Sequence, residues 1–163
     1  MVTGRVSAVG EGVDSSWSGR RVLAGTGETG GFTERAAALT EDLIPVPDEL
    51  DLTDAVALHT DGSTALGLVE KARILPGDWL PVEAAGGGAG SLLVQLAHAA
   101  GAKVIGAARG IQKLDAVRDL GAASVVDYSR PDWTEQVREA TGGTGPDVGS
   151  TGSAVKSAGS RSR

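Results

Sequence analysis

The sequence predicts an α/β fold, in which a small β-rich segment precedes a parallel sheet. From Trp79 onward, strand-length apolar runs alternate with helical runs of about ten residues, a rhythm typical of parallel sheets with right-handed crossovers. Residues 1–34 instead carry short alternating runs and glycine-rich turns, which indicate strands. The chain has 163 residues, so it holds one domain or pieces of two.

The individual elements follow from periodicity and from capping residues. Asp51 or Thr53 is the expected N-cap of the first helix, and Gly101 and Gly121 are expected to end two later helices. Pro81 falls inside a central strand, where it removes a ladder hydrogen bond. The predicted strands cover 5–9, 21–24, 79–84, 103–107 and 124–128, with another starting at 147; an extended pattern covers 32–36; and the predicted helices cover 51–59, 61–72, 91–100, 111–120 and 133–140.

Changes in this rhythm predict four segments. Residues 1–50 form part of a β domain, and residues 51–76 are linker helices. Residues 77–148 form the N-terminal half of the parallel-sheet domain. Residues 149–163 are rich in Ser and Gly, show no strand or helix period and carry cations without an acid. We therefore expect a disordered tail there.

Composition and charge exclude several classes of protein. Cysteine is absent, which excludes disulfide scaffolds, thiolate zinc sites and cysteine nucleophiles. The net charge of −6 argues against a nucleic-acid partner, because phosphate binding needs a dense basic surface. No run reaches the ~18 apolar residues of a membrane span, and no apolar signal core follows Met1. A cytoplasmic protein without a membrane partner is the expectation.

A glycine cluster between a predicted strand and a predicted helix is the most informative stretch. Its spacing, Ala85-x-Gly87-x-x-Gly90, is that of a dinucleotide-binding turn with alanine in the first place. The helix that follows offers free N–H groups and the positive end of its dipole to phosphates. A glycine-rich loop that only allows tight packing is the alternative. The candidate cofactor-binding residues here are Ala85, Gly86, Gly87, Gly88, Ala89 and Gly90.

The end of the next strand indicates which dinucleotide the turn would bind. An acid at that position would hold the ribose 2′-hydroxyl of NAD, but no acid occurs before Asp115, which lies inside the following helix. Arg109 and Lys113 are instead placed to meet a 2′-phosphate, which favours NADP over NAD. The alternative is that both are ordinary solvated residues at the start of a helix.

The ordered motifs together resemble a known family, the quinone oxidoreductase branch of the medium-chain dehydrogenase/reductases. The resemblance covers residues 1–148 in one unbroken order. The matching stretches are Gly4-Arg5-Val6, Ala8-Val9-Gly10-Glu11-Gly12-Val13, Gly31-Phe32-Thr33-Glu34, Ser63-Thr64-Ala65-Leu66, Pro76-Gly77-Asp78, Ala84 to Leu96, Gly101, Lys113, Leu120-Gly121-Ala122, Val126-Asp127-Tyr128, Thr141-Gly142-Gly143 and Gly145-Pro146-Asp147-Val148.

This resemblance implies a zinc-independent, NADPH-dependent reductase of quinones or other activated carbonyl or alkene compounds. It implies part of a GroES-like β domain followed by part of a Rossmann domain, and a homodimer is one assembly that it allows for the full-length form. By resemblance, Gly86 to Ala89 contact the pyrophosphate. Lys113 and Tyr128 match positions that hold the 2′-phosphate, with Arg109 as a further contact, and Thr64 matches a position near the nicotinamide.

The resemblance also leaves questions open. Family members are longer, so the chain is expected to be truncated at both ends and its own activity is not fixed. No general acid can be named, since His59 ends a linker helix and His98 lies in the middle of another. Two alternatives remain: an enoyl reductase-like member of the same superfamily, and a non-catalytic fragment that binds a nucleotide. The Lys113 and Tyr128 pair favours the quinone reductase.

Overall fold

The computed structural model describes residues 1–27, 30–151 and 154–157, and the chain divides into two compact units. The first unit is Met1–Thr60 and the second is Asp61–Arg163. The linker helices predicted over 51–76 are therefore shared between the two units. Among the described residues, no helix has the length and hydropathy that a membrane span requires.

The first unit is built on a three-stranded antiparallel sheet in the order β1-β2-β3. Its small core consists of Leu23, Val46 and Ala55, because the central strand and the helix both turn apolar residues toward each other. Asp51 is the N-cap of this helix and accepts a hydrogen bond from the Thr53 backbone N–H at 2.7 Å, as the sequence predicts. The elements are β1 (Val2–Arg5), β2 (Arg21–Ala24), β3 (Leu43–Pro45) and α1 (Leu52–Ala57).

Two strand predictions in this unit are wrong. The first strand is Val2–Arg5 rather than 5–9, because the ladder with β2 ends at the pair Arg5–Arg21. The chain leaves the sheet after Val6, whose backbone still exchanges hydrogen bonds with Gly19 and Arg20. Residues 32–36 form no strand either, although their pattern is extended.

The second unit carries a five-stranded sheet in the order β6-β5-β4-β7-β8. Strands β6, β5, β4 and β7 run parallel to one another, and β8 runs antiparallel to β7, so the α/β prediction is confirmed. The elements are α2 (Ser63–Ala72), β4 (Trp79–Val82), α3 (Gly88–Ala99), β5 (Lys103–Ala108), α4 (Ile111–Asp119), β6 (Ser124–Asp127), α5 (Trp133–Ala140), β7 (Val148–Thr151) and β8 (Ala154–Ser157).

The core of this unit is made mainly of Ala, Val and Leu, and a second cluster around buried Ile105 includes the partly buried Trp79, Tyr128 and Trp133. Leu80, Val94 and Val104 are fully buried between the sheet and its helices. Gly106 in β5 has no side chain, and the space above it is filled by Cγ1 of Val117 from α4. Any Cβ at position 106 would overlap that methyl group, so α4 packs close to the sheet at this point.

Pro81 lies in the central strand, and its missing N–H falls on the β7 side. The Asp78 carbonyl accepts from Lys103, at the start of β5, whereas the Trp79 carbonyl accepts from Asp147, just before β7. Because backbone groups alternate along a strand, Pro81 faces the same side as Trp79. The ladder with β5 therefore stays complete, while β7 pairs with β4 only at Val82–Ser150.

The structure differs from the disordered tail that the sequence predicts over 149–163. Residues Gly149–Thr151 complete β7, and Ala154–Ser157 form β8, which pairs with β7 along its whole length. Buried Val148 anchors the start of β7 in the core. Backbone pairing at the edge of a sheet needs no hydrophobic period, which is why the pattern gave no signal. The remaining residues, 152–153 and 158–163, lie outside the described part of the chain.

Candidate cofactor-binding site

The glycine turn joins the end of β4 to the start of α3. The Ala85 N–H donates to the Ala107 carbonyl at 3.0 Å, and the Gly87 N–H donates to the Ala84 carbonyl at 2.8 Å. Ala84 has a φ of +51°, a left-handed conformation that is costly for a residue with a Cβ. These bonds form a tight turn directly after β4. The turn therefore lies at the carboxyl end of the parallel strands, where α/β sheets bind ligands.

Gly90 allows the helix to begin directly against this turn. A Cβ at position 90 would overlap the Ala84 carbonyl, so no larger residue fits there without a backbone shift. This is the third position of the predicted fingerprint, whose task is close packing of helix and strand. The structure thus supplies the contact that the spacing predicts.

The amino end of α3 has backbone donors that its own residues do not satisfy. Gly87 is the N-cap residue, and glycine has no side chain with which to cap the helix. The N–H groups of the first turn therefore point out of the helix together with the positive end of its dipole. A pyrophosphate fits this end of the helix, since both features attract anions.

Three candidate residues lie at the edge of the sheet that carries the turn. The Lys113 side chain packs against Gly86, and a Cβ on that glycine would come within 3.1 Å of Lys113 Cβ. The guanidinium of Arg109, at the end of β5, lies over the Tyr128 ring, at the end of β6. Parallel strands bring these ends to one edge. The arrangement places Lys113 against the glycine turn, and it places Arg109 and Tyr128 at the same edge of the sheet.

Asp127 also belongs to this group, and the sequence analysis did not select it. Its carboxylate accepts hydrogen bonds from the Ser129 hydroxyl and backbone N–H, which lower the pKa of Asp127 below its ordinary value of 3.8; Gly110 and Arg109 lower it further. The carboxylate therefore stays ionised beside Arg109. The signal available in the sequence was its position directly before Tyr128 at a strand end.

A second acid, Asp61, lies at the amino end of α3. Its Oδ2 occupies the space that a Cβ on Gly88 would need. Asp61 comes from the single π-helical turn Leu58–Gly62, which leads into α2, and α2 packs beside α3. Sequence analysis missed this contact because the two residues are far apart in the chain and no motif links them.

The remaining candidates lie nearby or elsewhere. Thr64 is exposed in the first turn of α2, and its role near a nicotinamide stays a prediction. His59 is exposed in the π-helical turn. His98 packs against Gly121, near the carboxyl end of α3. A side chain placed to donate a proton is therefore not identified.

Comparisons with known proteins agree with this geometry. A family model described as "Zinc-binding dehydrogenase" matches residues 88–161. The 2-haloacrylate reductase of a Burkholderia species is 38% identical over 146 residues, which are 88% of this chain and 44% of that protein. The quinone oxidoreductase of Sus scrofa is 32% identical over 148 residues, which are 90% of this chain and 45% of that protein.

Solved structures give the same result. Escherichia coli quinone oxidoreductase complexed with NADPH has a TM-score of 0.76 and 32% identity, over 86% of this chain and 44% of that chain. This chain belongs to the medium-chain dehydrogenase/reductases, and the quinone oxidoreductase branch fits it. The CurK enoyl reductase matches with a TM-score of 0.73 and 30% identity, and the match covers 90% of this chain and 44% of the CurK chain.

The chain spans less than half the length of these relatives. The family description also mentions zinc, and the residues here do not fit that metal. The sequence has no cysteine, and the described residues include no group of three or more His, Asp or Glu that could hold a metal ion.

Proposed function

We propose that this chain is part of an NADPH-dependent oxidoreductase that transfers hydride to a quinone or to another activated carbonyl or alkene compound. The observation that carries the proposal is the placement of Arg109, Lys113 and Tyr128 at one edge of the sheet, with Lys113 against the glycine turn. A 2′-phosphate is the feature that distinguishes NADPH from NADH, and cations paired with a phenol recognise it by charge and by hydrogen bonds.

Each part of the site has a task in this proposal. The amino end of α3 binds the pyrophosphate through its free N–H groups. Lys113, held against Gly86, and Arg109, held over Tyr128, bind the 2′-phosphate. Thr64 contacts the nicotinamide end. NADPH supplies the hydride when bound, so the chain contributes binding and orientation rather than a nucleophile.

The names of two relatives support the substrate class. One relative is a 2-haloacrylate reductase and another a quinone oxidoreductase, so both names indicate an electron-poor, conjugated acceptor. Such acceptors take hydride readily because the negative charge that develops is delocalised. We therefore propose a small conjugated carbonyl, quinone or alkene as the substrate class.

An enoyl reductase is the second candidate function. It is favoured by the likeness to the CurK enoyl reductase and by a polyketide synthase relative from Mycobacterium tuberculosis that is 36% identical over 148 residues. A coenzyme A-linked enoyl thioester is the matching test substrate. A nucleotide-binding chain without catalytic activity is the third candidate.

A binding titration and a turnover assay on the full chain test the proposal. The melting temperature should rise with the logarithm of the NADPH concentration once it exceeds the dissociation constant, and it should rise much less with NADH at equal concentration. Lys113→Gln should remove most of the NADPH shift. Exposed Lys71→Gln, which removes the same charge from α2, should keep it.

Turnover then separates the three candidates. NADPH oxidation with p-benzoquinone or 2-chloroacrylate supports the proposed reductase. Oxidation with crotonyl-coenzyme A alone supports the enoyl reductase. Binding of NADPH without oxidation by any acceptor leaves the nucleotide-binding chain, and a cooperative melt that neither cofactor shifts would overturn the cofactor site itself.

A further inference from the structure

The Asp61 carboxylate contacts the amino end of the helix that the cofactor's pyrophosphate would use. Oδ2 of Asp61 lies so close to Gly88, the first residue of α3, that a Cβ there would overlap it. The contact lies within one compact unit, because Asp61 and α3 both belong to 61–163. It is formed by α2 packing beside α3, which brings the start of one helix to the start of the other.

No cation among the described residues pairs with this carboxylate. The three ion pairs of the described chain involve Asp48, Asp115 and Asp132. Asp61 is half-buried, so its charge is only partly screened by water. The positive end of the α3 dipole lies at this contact and attracts an anion.

A pyrophosphate is drawn to the same place for the same reason. Two anions cannot both approach one helix end without repulsion, and unit charges a few ångströms apart interact strongly at a protein surface. Gly88 adds a steric condition, since its missing side chain is what lets Asp61 approach. The Asp61 carboxylate thus places a negative charge at the end of α3 where a phosphate would bind.

We propose that Asp61 is an affinity-determining residue whose carboxylate competes with the cofactor's pyrophosphate for the amino end of α3. The inference rests on the proposed dinucleotide site. Because both reduced cofactors carry a pyrophosphate, Asp61 weakens binding of NADPH and NADH by the same factor. The choice between the two cofactors belongs instead to Arg109, Lys113 and Tyr128.

The test compares the dissociation constants of NADPH and NADH for the full chain and for Asp61→Asn by isothermal titration calorimetry. The variant keeps the shape of the side chain and removes its charge. We expect about tenfold tighter binding of both cofactors at low ionic strength, and a smaller gain in 0.5 M NaCl, because salt screens the removed repulsion. Glu70→Gln removes one exposed charge from the last part of α2 and should change neither affinity.

Each other outcome has a defined meaning. Unchanged or weaker NADPH binding by Asp61→Asn, with wild-type binding intact, overturns the inference and leaves the proposed function standing. A gain for NADPH alone, or an equal gain in Glu70→Gln, also overturns it. Absence of NADPH binding in both wild type and variant overturns the proposed function and this inference with it. Asp61→Ala should give the same direction, which keeps the test valid if the amide variant does not fold.

Discussion

The Arg109 guanidinium lies over the ring of Tyr128, with its Cζ 5.9 Å from the ring centroid. The two residues follow adjacent parallel strands, and the Tyr128 N–H donates to the Ala108 carbonyl at 3.3 Å. The ring supports the guanidinium from below by a cation–π contact and so holds a flexible side chain in one place. Recognition of the 2′-phosphate is therefore expected to depend on both residues.

Removing this pair should change cofactor preference rather than cofactor binding in general. Arg109→Gln should weaken NADPH binding by about tenfold, because a charge-assisted hydrogen bond to phosphate is lost. NADH binding should change little, since NADH has no 2′-phosphate. Fluorescence titration of both cofactors measures the two affinities. An equal loss for NADH and NADPH would place Arg109 outside the 2′-phosphate site, and Tyr128→Phe, which keeps the ring, should preserve part of the preference.

Two glycines in neighbouring helices should respond in opposite directions to alanine. Gly90→Ala should lower the free energy of unfolding by about 1–3 kcal/mol, because its methyl group overlaps the Ala84 carbonyl and forces the backbone to move. Gly67→Ala should raise it by up to about 1 kcal/mol, because α2 has open space there and alanine favours the helix. Urea unfolding measures both, and destabilisation by Gly67→Ala would contradict the packing described for α2.

The N-cap of α1 predicts a dependence of stability on pH. The Thr53 backbone N–H donates to the Asp51 carboxylate and lowers the pKa of Asp51 below its ordinary value of 3.8. A lowered pKa in the folded state stabilises the fold above the unfolded value, and this contribution is lost as the pH falls through the folded value. Asp51→Ala should therefore lower the melting temperature at pH 7.

The difference between Asp51→Ala and wild type should shrink as the pH falls from 3.8 through the lower folded-state pKa of Asp51, because the cap then loses its charge. Melting curves followed by circular dichroism at several pH values test this. Asp51→Asn is the matched control, since asparagine caps a helix without ionising. A constant difference at all pH values would show that the carboxylate charge contributes nothing.

Arg73 offers a stabilising substitution. It follows α2 in a left-handed conformation with a φ of +49°, which costs free energy for any residue that carries a Cβ. Arg73→Gly should raise the free energy of unfolding by about 0.5–1 kcal/mol, as glycine adopts this conformation freely at the end of a helix. Lys71→Gly lies inside the same helix and should lower it by about 1 kcal/mol, which makes it the control for urea unfolding.

The sequence predicts the parallel sheet well because its signals are local. Helix α5 has the predicted bounds, and β5 differs by one residue, since caps and short apolar runs determine both. The confirmed family resemblance rests on the same local motifs. The antiparallel pair of β7 and β8 was missed, because its formation depends on pairing with a neighbouring strand rather than on any pattern of its own.

The residues of the candidate site also fall into those that local motifs reveal and those that only packing reveals. The glycine turn, Lys113 and Tyr128 were selected from the sequence by spacing and resemblance, and the structure brings them to one edge of the sheet. Asp61 was not selected from the sequence, because its contact with Gly88 arises only from the packing of α2 beside α3. Long-range packing partners of a motif leave no trace in the motif itself.

Gly106 connects the packing inside the sheet with the proposed choice of cofactor. Its lack of a side chain lets Val117 descend onto β5, and Val117 lies one helical turn after Lys113 on the same face of α4. The height of α4 above the sheet thus sets how far the lysine reaches across Gly86. A methyl group at this buried position would lift the helix and move Lys113 away from the proposed 2′-phosphate site. Discrimination between the two cofactors would then weaken through a residue that never touches either of them.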